Sequence, residues 1–146
     1  VWLNIAFWLK GKAKVMEIKN GVFIGSVTQA HKFATVVDLC AEYPCRKPPT
    51  NYQVVPMLDM VTPDVQDLVQ GAIRVEQLRQ EQTPLLVCCA LGYGRSAAVM
   101  LVWLAVFGGC ENLSQAVTQL RTKRPNIVLP LETEQAVLSA IAHLQN

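Results

Sequence analysis

Charge is scarce in this chain. Its 13 basic and 11 acidic side chains make up 16% of 146 residues, below the usual quarter or so. A formal net charge of +2 leaves no broad basic field, which removes nucleic acid from the expected partners. Histidine is scarcer still: only His31 and His143 are present, both expected at the surface, and no cysteine pair has metal-site spacing with either. No metal or other cofactor is called for. Long apolar runs are missing too: the longest, residues 97–107, is about half of the roughly 20 residues a membrane span needs. It is expected to be a core helix. No cleavable signal peptide, internal repeat or second composition regime is visible, and 146 residues suit one domain. Five cysteines, an odd number, point to reduced thiols and a cytoplasmic setting.

The mean hydropathy is nevertheless positive, at +0.26, which calls for an apolar surface or a nearby membrane. Residues 1–14 are one source of it. Trp2, Phe7 and Trp8 in an apolar start are followed by Lys10, Lys12 and Lys14, an order seen at the cytoplasmic edge of membrane segments. An amphipathic helix packed on the domain is the favoured reading, because a nine-residue stretch cannot span a bilayer. The membrane-proximal reading stays open, and the domain proper is taken as residues 15–146.

Across that domain the pattern alternates between strand and helix. Residues 15–18 and 22–24 flank Asn20-Gly21 and predict a hairpin with a primed turn. Residues 35–40, rich in β-branched side chains, predict a third strand, residues 52–57 a fourth and residues 84–88 a buried fifth. Thr62-Pro63-Asp64 predicts a helix start with a hydroxyl cap, running to about Gln82 with Val65, Leu68, Val69 and Ala72 on one face. Helical spacing returns at 96–107, again at Leu113, Ala116, Val117 and Leu120, ending near Arg124-Pro125, and at Val137, Ala140, Ile141 and Leu144. The expected fold class is α/β: a largely parallel central sheet of four to five strands flanked by helices, with ligands at the carboxyl ends of the strands.

At one such end lies Cys89-Ala90-Leu91-Gly92-Tyr93-Gly94-Arg95-Ser96. A thiol and an arginine six residues apart mean little alone, since Cys40 and Arg46 share that spacing. That second segment holds Pro44, which lacks an amide hydrogen, has no glycine and runs into Lys47-Pro48-Pro49, which cannot open a long helix. At Cys89 the flanks are a buried strand and a helix. Gly92 and Gly94 permit unusual backbone angles and close approach, so the amides of Ala90, Leu91, Gly92, Tyr93, Gly94 and Arg95 can converge on phosphate oxygens.

The chemistry this allows is attack on a phosphate ester. Inward amides, the positive end of the following helix and the guanidinium all favour Cys89 as thiolate. Arg95 can place two parallel hydrogen bonds on equatorial phosphoryl oxygens. The departing ester oxygen needs a proton, and Asp59, just past a predicted strand, is the expected general acid; Asp64 is the rival, but belongs to the helix-start signature. Asp38, inside a strand pattern, is expected to support the loop by hydrogen bonding. Ser96 can donate to the sulfur as thiolate departs.

Cys-x-x-Gly-x-x-Arg-Ser between strand and helix, with an aspartate about thirty residues upstream, resembles the cysteine-dependent dual-specificity phosphatases of the protein tyrosine phosphatase superfamily. The likeness extends from about Gly21 to the C-terminus and is sharpest at the loop. It implies a phosphocysteine mechanism with Cys89 as nucleophile, Arg95 as phosphate clamp, Ser96 as loop hydroxyl and Asp59 as acid. Relatives usually carry histidine before the nucleophile, where this chain has Cys88; activity is expected to persist with the thiolate less favoured. Cys40, ending a strand expected beside that of Cys89, is a candidate redox partner for it.

The loop's variable positions carry no lysine, so highly phosphorylated inositols are disfavoured. Phosphotyrosine, phosphoserine and phosphothreonine proteins are the expected substrates. A phospholipid or other small phosphate ester at the cytoplasmic face of a membrane is the alternative. A phosphate-binding module without turnover, and a thiol-redox or sulfur-transfer protein using Cys88-Cys89, are weaker readings; the second has no use for Arg95-Ser96.

Overall fold

The computed structural model describes residues 15–40, 49–58, 61–90 and 94–146. Residues 1–14 and the proline-rich stretch after Cys40, with Cys45 and Arg46, lie outside them.

The chain opens with the expected hairpin, β1 (Met16–Lys19) and β2 (Val22–Ser26). Both turn residues take positive φ, 54° at Asn20 and 80° at Gly21, which is why Asn-Gly stands there. A short 3-10 turn (Val27–Lys32) leads to β3 (Thr35–Cys40) and β4 (Asn51–Met57). Helix α1 (Val65–Glu81), strand β5 (Leu85–Cys89) and helices α2 (Arg95–Val106), α3 (Leu113–Lys123) and α4 (Leu131–Gln145) follow. The sheet order is β1-β2-β5-β3-β4, with β1 antiparallel and the other neighbours parallel. The α/β class and five strands agree with the sequence pattern.

β5 therefore sits in the middle. Ser26 of β2 is in register with Cys89, and Asp38 of β3 with Cys88, so three strands end together around the nucleophile candidate. The edge strand β4 holds Pro56 where the register against β3 shifts, a position that spares the missing amide.

The two faces of the sheet are covered differently. Leu85, Val87 and Cys89 join Val37, Leu39 and Ile24 in one core with α1 to α4. Leu86 and Cys88 point the other way, into a smaller cluster with Ala30 and Val36, where Phe23 and Phe33 meet edge to face at 5.4 Å. This is strand alternation made visible. Cys88 is thus a fully buried strand residue on the face opposite Cys89.

Helix α2 is buried along nearly its whole length, as its unbroken apolar run predicts. It crosses α1 closely because Gly71 has no side chain: a Cβ there would come within 2.9 Å of Val99. Trp103 is fully buried and its indole N–H donates to Glu76 Oε1 at 3.0 Å. Glu76 also accepts from Arg79 at 2.8 and 2.6 Å, and that guanidinium contact holds its carboxyl down at about 2.

One boundary differs from expectation. The cap of α1 is Asp64, whose Oδ1 accepts from Gln66 N at 2.8 Å, not the Thr62 hydroxyl. Pro63 consequently precedes the cap. A carboxylate serves the positive helix end better than a hydroxyl does. Among the described residues, no helix is long and apolar enough to cross a membrane. His31 and His143 are both exposed.

Candidate active site

Cys89 ends β5 and is 2% exposed; Arg95 begins α2 and is 5% exposed. The loop between them joins a central strand to a buried helix. Leu91, Gly92 and Tyr93 of that loop lie outside the described residues, as does Asp59.

Side chains at the strand and helix ends hold the loop's described ends in place. Ser26, fully buried at the end of β2, donates its hydroxyl to the Ala90 carbonyl at 2.7 Å. The same oxygen accepts from Thr28 N at 3.2 Å, so it cannot rotate freely. Arg95 Nη1 donates to the Met57 carbonyl at 3.0 Å. Met57 ends β4, and the chain runs from it through Leu58 to Asp59. A guanidinium carries five N–H donors in a fixed fork, so one so tethered can still present donors to an anion.

The start of α2 is unlike a structural helix start. Gly94 is its cap and makes no side-chain capping bond, and the first turn contains no acid. Arginine occupies that turn, at the positive end of the helix dipole. Such an arrangement is unfavourable alone and favourable around an anion. Ser96 Oγ is buried and has no hydrogen-bond partner among the described residues.

Two expectations need correcting. Gly94 has φ −78° and ψ −74°, ordinary negative-φ backbone, so unusual angles do not explain that glycine. A Cβ added there meets no atom of the described residues within 4 Å, and Gly94 lines a cleft. Among the described residues, the hydrogen bonds of Asp38 run within the sheet and not to the loop's ends. Its Oδ1 accepts from Cys40 N at 2.8 Å and its Oδ2 from the Tyr52 hydroxyl, so it fastens the end of β3 and ties it to β4.

Cys40 and Cys89 end neighbouring strands and belong to the same core, both as buried thiols. Asp64 accepts from the second residue of its own helix, the part that the helix-start signature assigns it. Two supporting residues carry little signal in the sequence. Ser26 is one; it closes an apolar strand whose carboxyl end faces the site, and that position is its only mark. Arg124 is the other: 3% exposed, it sends Nη2 to the Ile24 carbonyl at 3.3 Å, placing a buried cation against β2.

A thiol at the carboxyl end of a central parallel strand, an arginine opening the next helix and an uncapped helix end between them define a cysteine-dependent phosphatase. The model of the dual specificity phosphatase catalytic domain matches residues 19–138, and the chain belongs to that family. Among curated proteins, none matches the sequence. Solved structures agree on the fold. A mouse putative dual specificity phosphatase complexed with zinc tungstate has a TM-score of 0.77 at 22% identity, over 90% of this chain and 88% of that one. Human DUSP28 gives 0.75 at 20% identity, over 90% and 95%. PTPMT1 in complex with PI(5)P gives 0.73 at 14% identity, over 90% and 96%.

Proposed function

We propose that this phosphatase cleaves phosphate monoesters through Cys89. The thiolate attacks phosphorus, forming the S–P bond as the P–O bond to the leaving group breaks, and Asp59 gives that oxygen its proton. Water then attacks phosphorus with Asp59 as base, the S–P bond breaks, and Ser96 donates to the departing thiolate. Arg95 holds the equatorial oxygens throughout. The observation that carries this reading is the α2 start: Arg95 and an uncapped Gly94 adjoining the loop that begins at Cys89. Burst and steady-state release from an aryl phosphate test it. Cys89→Ser should abolish both phases, and Asp59→Ala should slow turnover about 10²–10⁴-fold, as loss of a general acid does. A Cys89→Ser variant with unchanged turnover would sink the proposal.

The family's name supports phosphorylated protein side chains as substrates. The likeness to PTPMT1, one of whose structures holds PI(5)P, supports a phospholipid instead. One feature of this chain favours the second: the walls of the cleft beside Arg95 are largely aliphatic. Residues 1–14, with their tryptophans and lysines, fit placement at the cytoplasmic face of a membrane.

A further inference from the structure

The four most exposed large hydrophobic side chains among the described residues are Val128 at 80%, Leu58 at 70%, Leu131 at 63% and Val61 at 57%. They come from separate parts of the chain, the exit of β4, the approach to α1 and the entry to α4. All four nevertheless gather about one place. Leu58, Val61 and Val128 line a cleft of about 370 Å³ that Gly94 and Arg95 also line, and Leu131 adjoins Pro130 and Glu132 on its α4 side. Single exposed aliphatics are ordinary, but a cluster of them at a binding site needs an occupant. The volume is within the range of small-molecule sites, roughly 300–1,000 Å³.

Two properties of the cleft choose that occupant. Among the described residues its ionisable lining groups are Arg95 and Glu132, so it offers one cation for one phosphate and an acid against a second phosphate. Its remaining side-chain walls are chiefly aliphatic, Leu58, Val61, Val128 and Leu129 with Pro63 and Pro130, and the hydroxyls of Thr62 and Thr133 stand among them. An extended peptide would leave amides and carbonyls unsatisfied against such walls, whereas a hydrocarbon chain would not. Continuity with Arg95 sets the order of the ligand: phosphate at the loop, apolar part along the cleft.

We infer that the cleft is the acyl-chain subsite of a phosphatase for lipid phosphate monoesters presented by a bilayer, with Leu58, Val61, Val128 and Leu131 meeting the hydrocarbon. The inference rests on the Cys89 reading given under Proposed function. Each methylene moved from water onto these walls is worth up to about fourfold in kcat/KM.

The test compares phosphatidic acid in phosphatidylcholine vesicles with glycerol 3-phosphate, which has the same phosphate ester and no chains. A kcat/KM ratio of at least about tenfold in favour of the lipid is expected. Val128→Glu with Leu131→Glu should cut that ratio about tenfold, while Leu138→Glu, also on exposed α4 surface but outside this cleft, should leave it unchanged. Because the readout is a ratio, general loss of folded enzyme cancels. A ratio near one, faster turnover of a phosphotyrosyl peptide than of the lipid, or equal ratios in the Val128/Leu131 and Leu138 variants would overturn the subsite. So would a rise in aryl phosphate hydrolysis on deleting residues 1–14, which would identify that segment as the occupant. Failure on every substrate, aryl phosphate included, would instead overturn the phosphocysteine reading.

Discussion

Helices α1 and α2 lie side by side, yet they begin in opposite ways. α1 brings its own anion: Asp64 accepts from Gln66 N, and Asp67 follows in the first turn. Desolvation by burial, then repulsion from Asp64, raises the Asp67 carboxyl above its ordinary value. α2 brings a glycine without a capping side chain and then an arginine. The first arrangement satisfies a helix end permanently, and the second leaves it to be satisfied by a visitor. α4 also lacks a side-chain cap, but Glu132 and Glu134 stand in its first turn. Among the described helices, only α2 combines an open cap with a buried cation.

The severest way to test that contrast is to change the cation. Arg95→Lys keeps the charge but loses the planar fork and the Nη1 bond to Met57. Turnover of an aryl phosphate should fall about 10²–10³-fold, with thermal stability changed far less. A loss below threefold would show that charge alone suffices at this helix end.

Giving α2 an anion of its own should come next in effect. Gly94→Ala should fold normally, because its Cβ meets nothing within 4 Å among the described residues. Gly94→Asp puts a carboxylate beside Arg95, where it competes with phosphate. KM for an aryl phosphate should rise about tenfold over Gly94→Ala, an effect that salt diminishes. Equal KM values in the two variants would mean that the helix end contributes little to anion binding.

The same contrast separates what the amino-acid sequence makes legible from what it conceals. The Asn-Gly turn, the β-branched run at 35–40 and the apolar run after Ser96 state their conformations locally, and the elements follow them closely. Cys89 and Arg95 are readable for the same reason: both sit on one short loop between recognisable elements. The cap of α1 stands two residues beyond the expected one because Thr62 and Asp64 are both good caps, and only three-dimensional packing selects between them. Ser26 and Asp38 show the deeper limit. Their partners, Ala90 and Tyr52, are remote in sequence, so their duties depend on the strand order β2-β5-β3-β4. The aliphatic cleft is hidden likewise, as its walls come from segments with no common motif.

On the α1 side, Asp64→Ala should cost about 1 kcal/mol of stability, the usual value of a lost cap, with aryl phosphate kinetics unchanged. Urea midpoints and initial rates measured together would check both halves. A kinetic defect as large as that of Gly94→Asp would show that α1 positions the site as well as framing it.

The smallest effect concerns the bond that joins the two helices. Glu76 of α1 holds Trp103 of α2 and is itself held by Arg79, whose guanidinium keeps the carboxyl at about 2, below its usual 4.5. A folded-state value below the unfolded one contributes stability that is present above about pH 4.5 and is lost as the pH falls toward about 2. Glu76→Gln retains an acceptor for the indole and removes the charge. The variant should be less stable than the parent at pH 7 by under about 1 kcal/mol, in keeping with a partly exposed ion pair, and the gap should narrow steadily below pH 4.5. Thermal midpoints for the two proteins across that range decide it. A gap independent of pH would mean that ionisation of Glu76, and with it the Arg79 pair, contributes nothing to stability.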